Sequence, residues 1–471
     1  MKPNGKLTFK TKSVMGMGEI PNVMAYSVMS ILFLFFLTDI VGILPAFAGI
    51  VFMIGRVWDA FTDPTIGMIS DRTRTRWGRR RPFFIIAAVP LGLFFFLMFN
   101  IFPVESQFSK TAVYTVVHIL FITSVTLYAI PYLSLLAELT DDYAERTSIM
   151  NYRMFFTFVF GLSAAVLPKM FADSFVPDEL RRAVKQGFET SDAFIPYLQE
   201  GYMMAALIVG LVIMVFPFIV FFTIKERYQE RAPREKLQLF KQFANMFRNK
   251  SFRTLIFIYV GSYAGINVIE GFVIYYMKYW IGREDQMPIL FVSVVISSVV
   301  TLPLWSIMSR KYGKKKTAIF GLLFWGVTQM LWIFITPTMP DFIIYAVGAL
   351  VGIGYGSAHT MPWAMFPDVL DQDEIMTGER REGVYSGVMT FLMKISNSIA
   401  VFSIGMTLQL TGYVANAVQT PKALQGIRFT MALAPLAFVL IGLAGAFLFP
   451  ITKERYSEIR RELENRNAVN A

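Results

Sequence analysis

Two aspartates four residues apart, Asp59 and Asp63, lie in an apolar stretch of the sequence with Thr62 beside them. At this spacing in a helix both carboxylates lie on one face, and the hydroxyl adds a third oxygen. Carboxylates this close repel each other unless a cation or a proton lies between them. The pattern therefore predicts a binding site for Na⁺ or H⁺. The alternative is a structural ion pair with Arg56.

A third carboxylate, Glu138, lies near the end of a later apolar stretch. One expectation is that it joins the aspartate pair and binds a cation or a proton. The other is that it lies at the cytoplasmic surface and forms a salt bridge with Arg146. The residues by themselves leave both alternatives open.

Other ionisable residues also lie in apolar stretches, where a charge costs about 2.5–3.5 kcal/mol at the centre of a membrane-spanning helix. Arg153 opens one stretch, whereas Lys394 and Glu270 lie well inside two others. We expect Lys394 to interact with carboxylates of the other half of the chain or with an anionic group of a substrate. Glu19 and Asn22 lie at the entrance to the first stretch, and we take all five as candidate substrate-binding residues.

Alternating charges follow the stretch around residue 360. Asp368 and Asp371 come first, and Arg381 lies in the next cluster of charges. We expect these residues to form cytoplasmic ion pairs that break and form again between conformational states. The alternative is that they only anchor the loop.

The composition places this chemistry in a membrane. Of 471 residues, 55% are hydrophobic and 16% are charged, whereas roughly 25% of a soluble domain is charged. The sequence has no cysteine, which excludes disulfides and thiolate metal sites, and His118 and His359 cannot by themselves form a zinc site. A net charge of +11 would indicate nucleic-acid binding in a soluble protein. The positions of the Lys and Arg residues in the sequence therefore decide what the net charge indicates.

Twelve apolar stretches are long enough to cross a bilayer, which takes roughly 20 residues. The predicted spans are 20–40, 44–70, 82–102, 111–139, 149–172, 200–224, 254–281, 287–309, 317–337, 341–366, 383–411 and 427–450. The predicted protein is an all-α membrane protein with two six-helix halves. An N-terminal bundle over 1–224 is followed by a cytoplasmic linker over 225–253 and by a C-terminal bundle with its tail over 254–471.

The cations concentrate in alternate loops, namely those after the second and eighth spans, in the linker and in both tails. By the positive-inside rule these segments are cytoplasmic, so both termini are expected in the cytoplasm. The net charge then reflects membrane topology, and no nucleic-acid partner is expected. We expect a monomer of the cell (inner) membrane, in contact with membrane lipids.

A motif repeats at half the length of the chain. Three arginines follow Gly78, and three lysines follow Gly313, 235 residues later. Two parallel halves joined by a cytoplasmic linker resemble the major facilitator architecture, whose substrate cavity lies between the halves. The stretch from Gly67 to Asp71 and Arg72 resembles the loop motif of that superfamily. The resemblance implies that Asp71 and Arg72 act in gating, and the alternative is topogenic charge alone.

Four motifs carry a closer resemblance, and they occur in order along nearly the whole chain. They are Trp58-Asp59-Ala60-x-x-Asp63-Pro64, Asp71-Arg72-Thr73-Arg74-Thr75-Arg76-Trp77-Gly78-Arg79, Pro367-Asp368-Val369-x-Asp371 and Arg380-Arg381-Glu382-Gly383-Val384-Tyr385-x-Gly387. They resemble the glycoside–pentoside–hexuronide:cation symporters, the melibiose permease family. The resemblance implies that Asp59 and Asp63 bind the coupling Na⁺, Li⁺ or H⁺. It also implies that Lys394 interacts with that region and that Arg153 serves the sugar site.

Two positions depart from that family. The aspartate of the first span that holds galactoside hydroxyls falls on Val23, next to Asn22, so the galactoside clamp is missing. The threonine that contributes to the cation site falls on Glu138. This second departure implies a different cation preference or coupling to protons.

Further stretches are closer to the eukaryotic sodium-dependent lysophosphatidylcholine symporters, which are relatives of the same family. These are Asp59-Ala60-x-Thr62-Asp63-Pro64, Tyr152-Arg153-Met154, Ile269-Glu270-Gly271, Leu302-Pro303-Leu304-Trp305, Pro362-Trp363-x-Met365-x-Pro367-Asp368-Val369 and Lys394. The resemblance implies that Glu270 lies in the substrate cavity and that Arg153 and Lys394 handle a headgroup. We add Trp363 to the candidate substrate-binding residues.

We therefore predict a secondary active symporter that works by alternating access and is coupled to Na⁺, with H⁺ or Li⁺ as alternatives. No cofactor and no metal beyond the coupling cation are expected. The predicted substrate is a lysolipid-like amphiphile, because a cavity rich in Phe and Met suits an acyl chain. The alternative is a glycoside. We expect no enzyme, since no Ser/His/Asp order, metal cluster or phosphate-binding glycine loop stands out, and a transporter-derived sensor is a further alternative.

Overall fold

The structure is a computed structural model that describes residues 7–139, 143–185, 191–224, 246–378 and 382–470. Within those ranges the regular structure is helical, apart from one isolated β-bridge between Thr75 and Gly78. The chain forms two compact units. The first contains Met1–Glu230 and Leu408–Thr420, and the second contains Arg231–Thr407 and Pro421–Ala471.

Each predicted span coincides with a helix of the described residues. Before residue 225 these are α1 (20–40), α2 (Pro45–Arg72), α3 (Arg81–Met98), α4 (Gln107–Glu138), α5 (Tyr143–Ser174) and α6 (Ile195–Thr223). After residue 245 come α7 (250–281), α8 (Met287–Tyr312), α9 (314–333), α10 (Asp341–Thr377), α11 (Glu382–Thr411) and α12 (Pro421–Leu448). The predicted all-α architecture is confirmed.

Several helix boundaries differ from the prediction. Helix α10 continues to Thr377, whereas the predicted span ends at residue 366, so Asp368 and Asp371 lie in the last turns of a helix. Further α-helices of the described residues lie outside the spans. Phe9–Met17 precedes α1, Asp178–Lys185 lies between α5 and α6, and Lys453–Asn470 follows α12 and is called the C-terminal helix below.

Ten helices of the described residues, α3 to α12, are long and apolar enough to cross a membrane. Helix α1 is broken into short pieces by π turns at Met29–Phe33 and Phe36–Ile40. Helix α2 carries Arg56, Asp59 and Asp63 in its middle, which lowers its hydropathy. Since π turns and buried charges are common at functional sites, these two helices are where a site is expected.

The segment Leu408–Thr420 follows most of α11 in sequence but belongs to the first unit. Tyr413 donates a hydrogen bond to Oδ2 of Asp39 at 2.6 Å, and Asn416 donates one to the main-chain carbonyl of Asp39. Thr38 also donates to Oδ2 of Asp39, at 2.7 Å. These bonds hold the segment on the end of α1.

Glycines let helices touch through their backbones. A Cβ atom at Gly261 of α7 would lie 2.4 Å from the main-chain nitrogen of Gly442 and 2.6 Å from the carbonyl oxygen of Phe438, both in α12. In the first unit, a Cβ atom at Gly92 of α3 would lie 2.5 Å from the carbonyl oxygen of Gly210 of α6. Because lipid tails are as apolar as the side chains, membrane helices associate largely through such close packing.

We expect Gly261→Ala to destabilise the protein by about 1–3 kcal/mol, because its methyl group meets backbone atoms that cannot move aside. The measurement is the thermal unfolding temperature of the purified protein in detergent. Gly387→Ala is the matched control, since a Cβ atom there meets nothing within 4 Å. Equal unfolding temperatures of the two variants would contradict the close packing of α7 on α12.

Candidate functional site

The two aspartates predicted to bind a cation are joined by a hydroxyl from another helix. Oγ1 of Thr126, on α4, lies 3.0 Å from Oδ1 of Asp59 and 3.1 Å from Oδ1 of Asp63. Nη1 of Arg56 lies 3.4 Å from Oδ2 of Asp59, and Asp59 is fully buried. We call these four residues the carboxylate cluster. Its chemistry is that of oxygen donors of net charge −1.

The hydroxyl that contacts both aspartates belongs to Thr126 and not to Thr62. Thr62 lies beside the aspartates in sequence, but its Oγ1 lies 3.3 Å from the carbonyl oxygens of Trp58 and Asp59 of its own helix. Thr126 was missed because a threonine in an apolar helix usually bonds to its own backbone and so gives no distinct sequence signal. Among the described residues, the hydroxyl beside the two aspartates is that of Thr126 and not a group at position 138.

Glu138 does not join the carboxylate cluster. It ends α4, twelve residues after Thr126, and a rise of 1.5 Å per residue separates their backbones by about 18 Å. A glutamate side chain cannot cover that distance. Its own side chain lies outside the part of the chain that the structure describes, so its predicted alternative, a salt bridge with Arg146, stays a prediction.

A second group of charges lies in the first unit, where α1 begins. Nε and Nη2 of Arg153 donate to Oε2 of Glu19 at 3.0 and 2.6 Å. The guanidinium group also lies 5.7 Å from the ring centre of Tyr132. Asn22, one turn after Glu19, is buried, and its Oδ1 has no hydrogen-bond partner in the described structure. Three predicted substrate-binding residues therefore occur together, and Oδ1 of Asn22 remains as an acceptor without a partner among the described residues.

The predicted residues of the second unit form a group with several aromatic side chains. Tyr355 donates to Oε1 of Glu270 at 3.0 Å, and Nε1 of Trp363 donates to the hydroxyl of Tyr263 at 2.8 Å. Tyr263 and Glu270 lie on α7, whereas Tyr355 and Trp363 lie on α10. The two helices thus share two polar contacts at membrane depth.

Lys394 lies on α11, one turn before Asn397. Nδ2 of Asn397 donates to Oδ1 of Asn267 on α7 at 2.8 Å, which fixes the level of α11 against α7. The predicted interaction of Lys394 with carboxylates of the other half, or with a substrate, stays a prediction.

Three of the predicted gating carboxylates have ion-pair partners at helix ends. Oδ1 of Asp71 lies 3.2 Å from Nη2 of Arg80, and Oδ1 of Asp368 lies 2.5 Å from Nζ of Lys314 at the start of α9. Arg460, on the C-terminal helix, lies 3.8 Å from Asp371.

The C-terminal helix was not predicted, although it supplies a partner for Asp371. Arg72 is exposed, and Arg381 lies outside the described residues. Tyr456 of the same helix packs near these charges, and its pKa is raised by burial and by the carboxylates of Asp368 and Asp371.

Comparisons with known proteins agree on one family of transporters. The sequence profile of the MFS/sugar transport protein family matches residues 14–453. The sodium-dependent lysophosphatidylcholine symporter 1-A of Danio rerio is 25% identical, over 97% of this chain and 88% of that protein. The glucuronide carrier protein homolog of Escherichia coli (strain K12) is 26% identical, over 99% of this chain and 98% of that protein.

The fold has matches among solved structures. A bacterial homolog of the human lysosomal transporter Spinster, in an inward-facing and unoccupied conformation, superposes with a TM-score of 0.68. The match covers 98% of this chain and 99% of that chain at 13% identity. At this identity the likeness concerns the fold.

We expect the Glu19–Arg153 ion pair to show strong coupling in a double-mutant cycle. Glu19→Gln or Arg153→Met alone leaves one partly buried charge unpaired, which costs about 3–5 kcal/mol, whereas the double variant loses less than the sum. Thermal unfolding of the purified variants measures this. Glu458→Gln, in the exposed pair of Arg455 and Glu458, is the control and should change stability by about 0–1 kcal/mol. Additive single effects would contradict the ion pair.

Proposed function

The chain belongs to the MFS/sugar transport protein family, and we propose that it is a cation-coupled symporter for an amphiphilic organic solute. Family membership makes it a transporter and not an enzyme, and its apolar helices make it a multi-pass membrane protein. The coupling ion, the substrate and the residues that bind them are the content of the proposal.

The carboxylate cluster is the observation that supports cation coupling. Carboxylate and hydroxyl oxygens are ligands that hard cations prefer. The side chains of Asp59, Asp63 and Thr126 present three such oxygens, and Oγ1 of Thr126 lies within hydrogen-bond distance of one oxygen of each aspartate. We infer that Na⁺ binds among these oxygens, with Li⁺ or H⁺ as competing ions.

The charge of the cluster favours a monovalent ion. Arg56 contributes one positive charge, and the two aspartates contribute two negative charges, so the net charge is −1. One monovalent cation brings it to zero, whereas a divalent cation leaves a net positive charge in a site that the membrane surrounds, which is costly. Arg56 also offsets part of the charge of Asp59 when no cation is bound.

A membrane potential then supplies the energy for uptake. Moving one charge through 100 mV provides about 2.3 kcal/mol, and this corresponds to roughly fifty-fold accumulation of the solute. For this energy to be used, cation binding has to raise substrate affinity, and substrate binding has to raise cation affinity by the same factor.

The first unit supports an amphiphile with an anionic headgroup as the substrate. Arg153 offers a bidentate donor for such a group, with Glu19 as the present acceptor that the headgroup would replace. Val23 occupies the position of the sugar-binding aspartate of the melibiose permease family. It packs against Gly161, since a Cβ atom added at Gly161 would lie 3.1 Å from Cγ2 of Val23. A named relative is a sodium-dependent lysophosphatidylcholine symporter.

A glycoside:cation symporter is the second candidate function. The glucuronide carrier homolog, whose whole length this chain nearly covers, favours it. Asn22 and the Glu19–Arg153 pair offer both donors and acceptors, as sugar hydroxyls require. The two candidate substrates differ in the part that lies beyond these residues. In the amphiphile it is an acyl chain, and in the glycoside it is a second polar group.

We expect cations to raise the thermal unfolding temperature through the carboxylate cluster. Replacing K⁺ by Na⁺ or Li⁺ should stabilise the wild-type protein, because binding to the folded state raises its stability. Asp59→Asn and Asp63→Asn should abolish this stabilisation and concentrative uptake into proteoliposomes. Thr126→Val should lower the apparent affinity for the cation about tenfold, since it removes one polar contact with charged groups.

Thr62→Val is the matched control for Thr126→Val. Its hydroxyl bonds to its own helix, so it should keep at least half of the cation affinity. The assignment of the site fails if Thr62→Val is the more damaging change, or if either asparagine variant still concentrates substrate at the wild-type level.

We expect lysolipids to stabilise the purified protein in the presence of the cation more than glycosides do. A thermal-shift screen with lysophosphatidylcholine, lysophosphatidate and simple glycosides measures this. A lysolipid added to Arg153→Met serves as the control and should have no effect beyond that of an equal amount of neutral detergent. Stabilisation by a glycoside and by no amphiphile would reverse the order of the two candidates.

A further inference from the structure

We propose that Glu270 is a proton-binding site of the second unit, in addition to the carboxylate cluster of the first unit. The ligand is a proton taken from water, and the product is a neutral carboxylic acid within α7. Its part in transport rests on the proposed symport, whereas its protonation does not.

Glu270 lies deep in its helix. It is 20 residues from Lys250, where the regular helix begins, and 11 residues from Ile281, where α7 ends. A rise of 1.5 Å per residue puts it about 16 Å from the nearer end. An ionised carboxylate at such a depth costs several kcal/mol unless a cation or water compensates for it.

The hydrogen-bond partner of Glu270 in the described structure is neutral. Tyr355 donates to Oε1 at 3.0 Å. The next side chains are aromatic, since His359 stacks on Tyr355 with 6.2 Å between ring centres and lies 5.4 Å from the ring of Tyr263. One neutral hydroxyl donor returns only part of the hydration that an ionised carboxylate loses, whereas a carboxylic acid loses far less.

The cations of the neighbouring helix α12 and of α7 itself lie far from Glu270. On α12, Arg428 stacks on the ring of Trp280 at 4.9 Å. Trp280 is ten residues beyond Glu270 on α7, which corresponds to about 15 Å. Lys422 precedes Arg428 by six residues, and Lys278 of α7 lies eight residues, about 12 Å, beyond Glu270.

Lys394 of α11 is the nearest cation by position along the helices. Successive spans alternate in direction, so α7 and α11 run in parallel, and the hydrogen bond between Asn267 and Asn397 sets their register. Glu270 lies one turn beyond Asn267, whereas Lys394 lies one turn before Asn397. Six residues of helix rise, about 9 Å, therefore separate them along the axis, and side chains that tilt toward the N-terminal ends of two parallel helices do not close this offset.

A proton on Glu270 is also able to exchange with water. The glutamate is half-buried, whereas most of the neighbouring residues of α7 are buried. Loss of the proton creates a carboxylate that strengthens its bond to Tyr355 and so ties α7 to α10, and uptake weakens that tie. The carboxylate takes up one proton from one side of the membrane and releases it to the other. The charge of this unit then changes during the cycle independently of Asp59 and Asp63.

The test is infrared spectroscopy of the purified wild-type protein, which detects the C=O stretch of a protonated carboxylic acid. We expect such a band at about pH 5–6, where a glutamate of ordinary pKa is ionised, and we expect Glu270→Gln to remove it. Glu19→Gln is the matched control, because the guanidinium group of Arg153 contacts Glu19 and favours its ionised form, so this change should leave the band intact. Tyr355→Phe should shift the band to higher frequency, since the C=O group loses a hydrogen bond.

An identical band in the wild-type protein and in Glu270→Gln would overturn the proposal, and so would the same frequency in Tyr355→Phe. Transport adds a separate readout. A pH gradient should change the rate of wild-type uptake at least threefold, whereas any uptake that remains in Glu270→Gln should not respond to that gradient. Loss of cation-driven uptake in the wild-type protein contradicts the proposed symport, whereas the infrared band alone decides the proton site.

Discussion

The free energy of placing a charge in a hydrocarbon environment is the constraint on which the rest of this structure depends. Each charge at membrane depth has to find a partner, a proton or water. Asp59 has Arg56 and Thr126, and Glu19 has Arg153. The same constraint sends most other charges to the loops and to the C-terminal helix. The few charged side chains that lie inside the helices are therefore the ones for which a function is expected.

The sequence predicts the helices of this protein well and its side-chain contacts poorly, for a physical reason. An apolar run of about 20 residues is a property of consecutive residues, so α1 to α12 were found. The contact of Thr126 with two aspartates of α2 depends on how α4 packs, and hydropathy carries no information about that. For Glu138 the sequence left two alternatives open, and what decides between them is its distance of twelve residues along α4 from Thr126, whose contact with the aspartates hydropathy does not show. The Glu19–Arg153 pair joins residues 134 positions apart and is equally invisible in the sequence.

Several predicted binding groups are occupied by partners from within the protein. Arg56 contacts the carboxylate that is proposed to bind a cation, and Glu19 contacts the arginine that is proposed to bind an anion. Such internal partners keep the binding groups desolvated at low cost until a ligand arrives. They also make ligand binding an exchange of partners, which provides a route from ligand binding to a change in helix packing.

The packing of Leu408–Thr420 means that the division of the polypeptide in sequence differs from its division in space. If the gene were cut within the linker to produce two separate fragments, the second fragment would carry Tyr413 and Asn416 away from Asp39. The first fragment would then bury an aspartate that lacks two of its donors. Asp39 therefore acquires the donors Tyr413 and Asn416 only after the ribosome has translated the chain beyond residue 416.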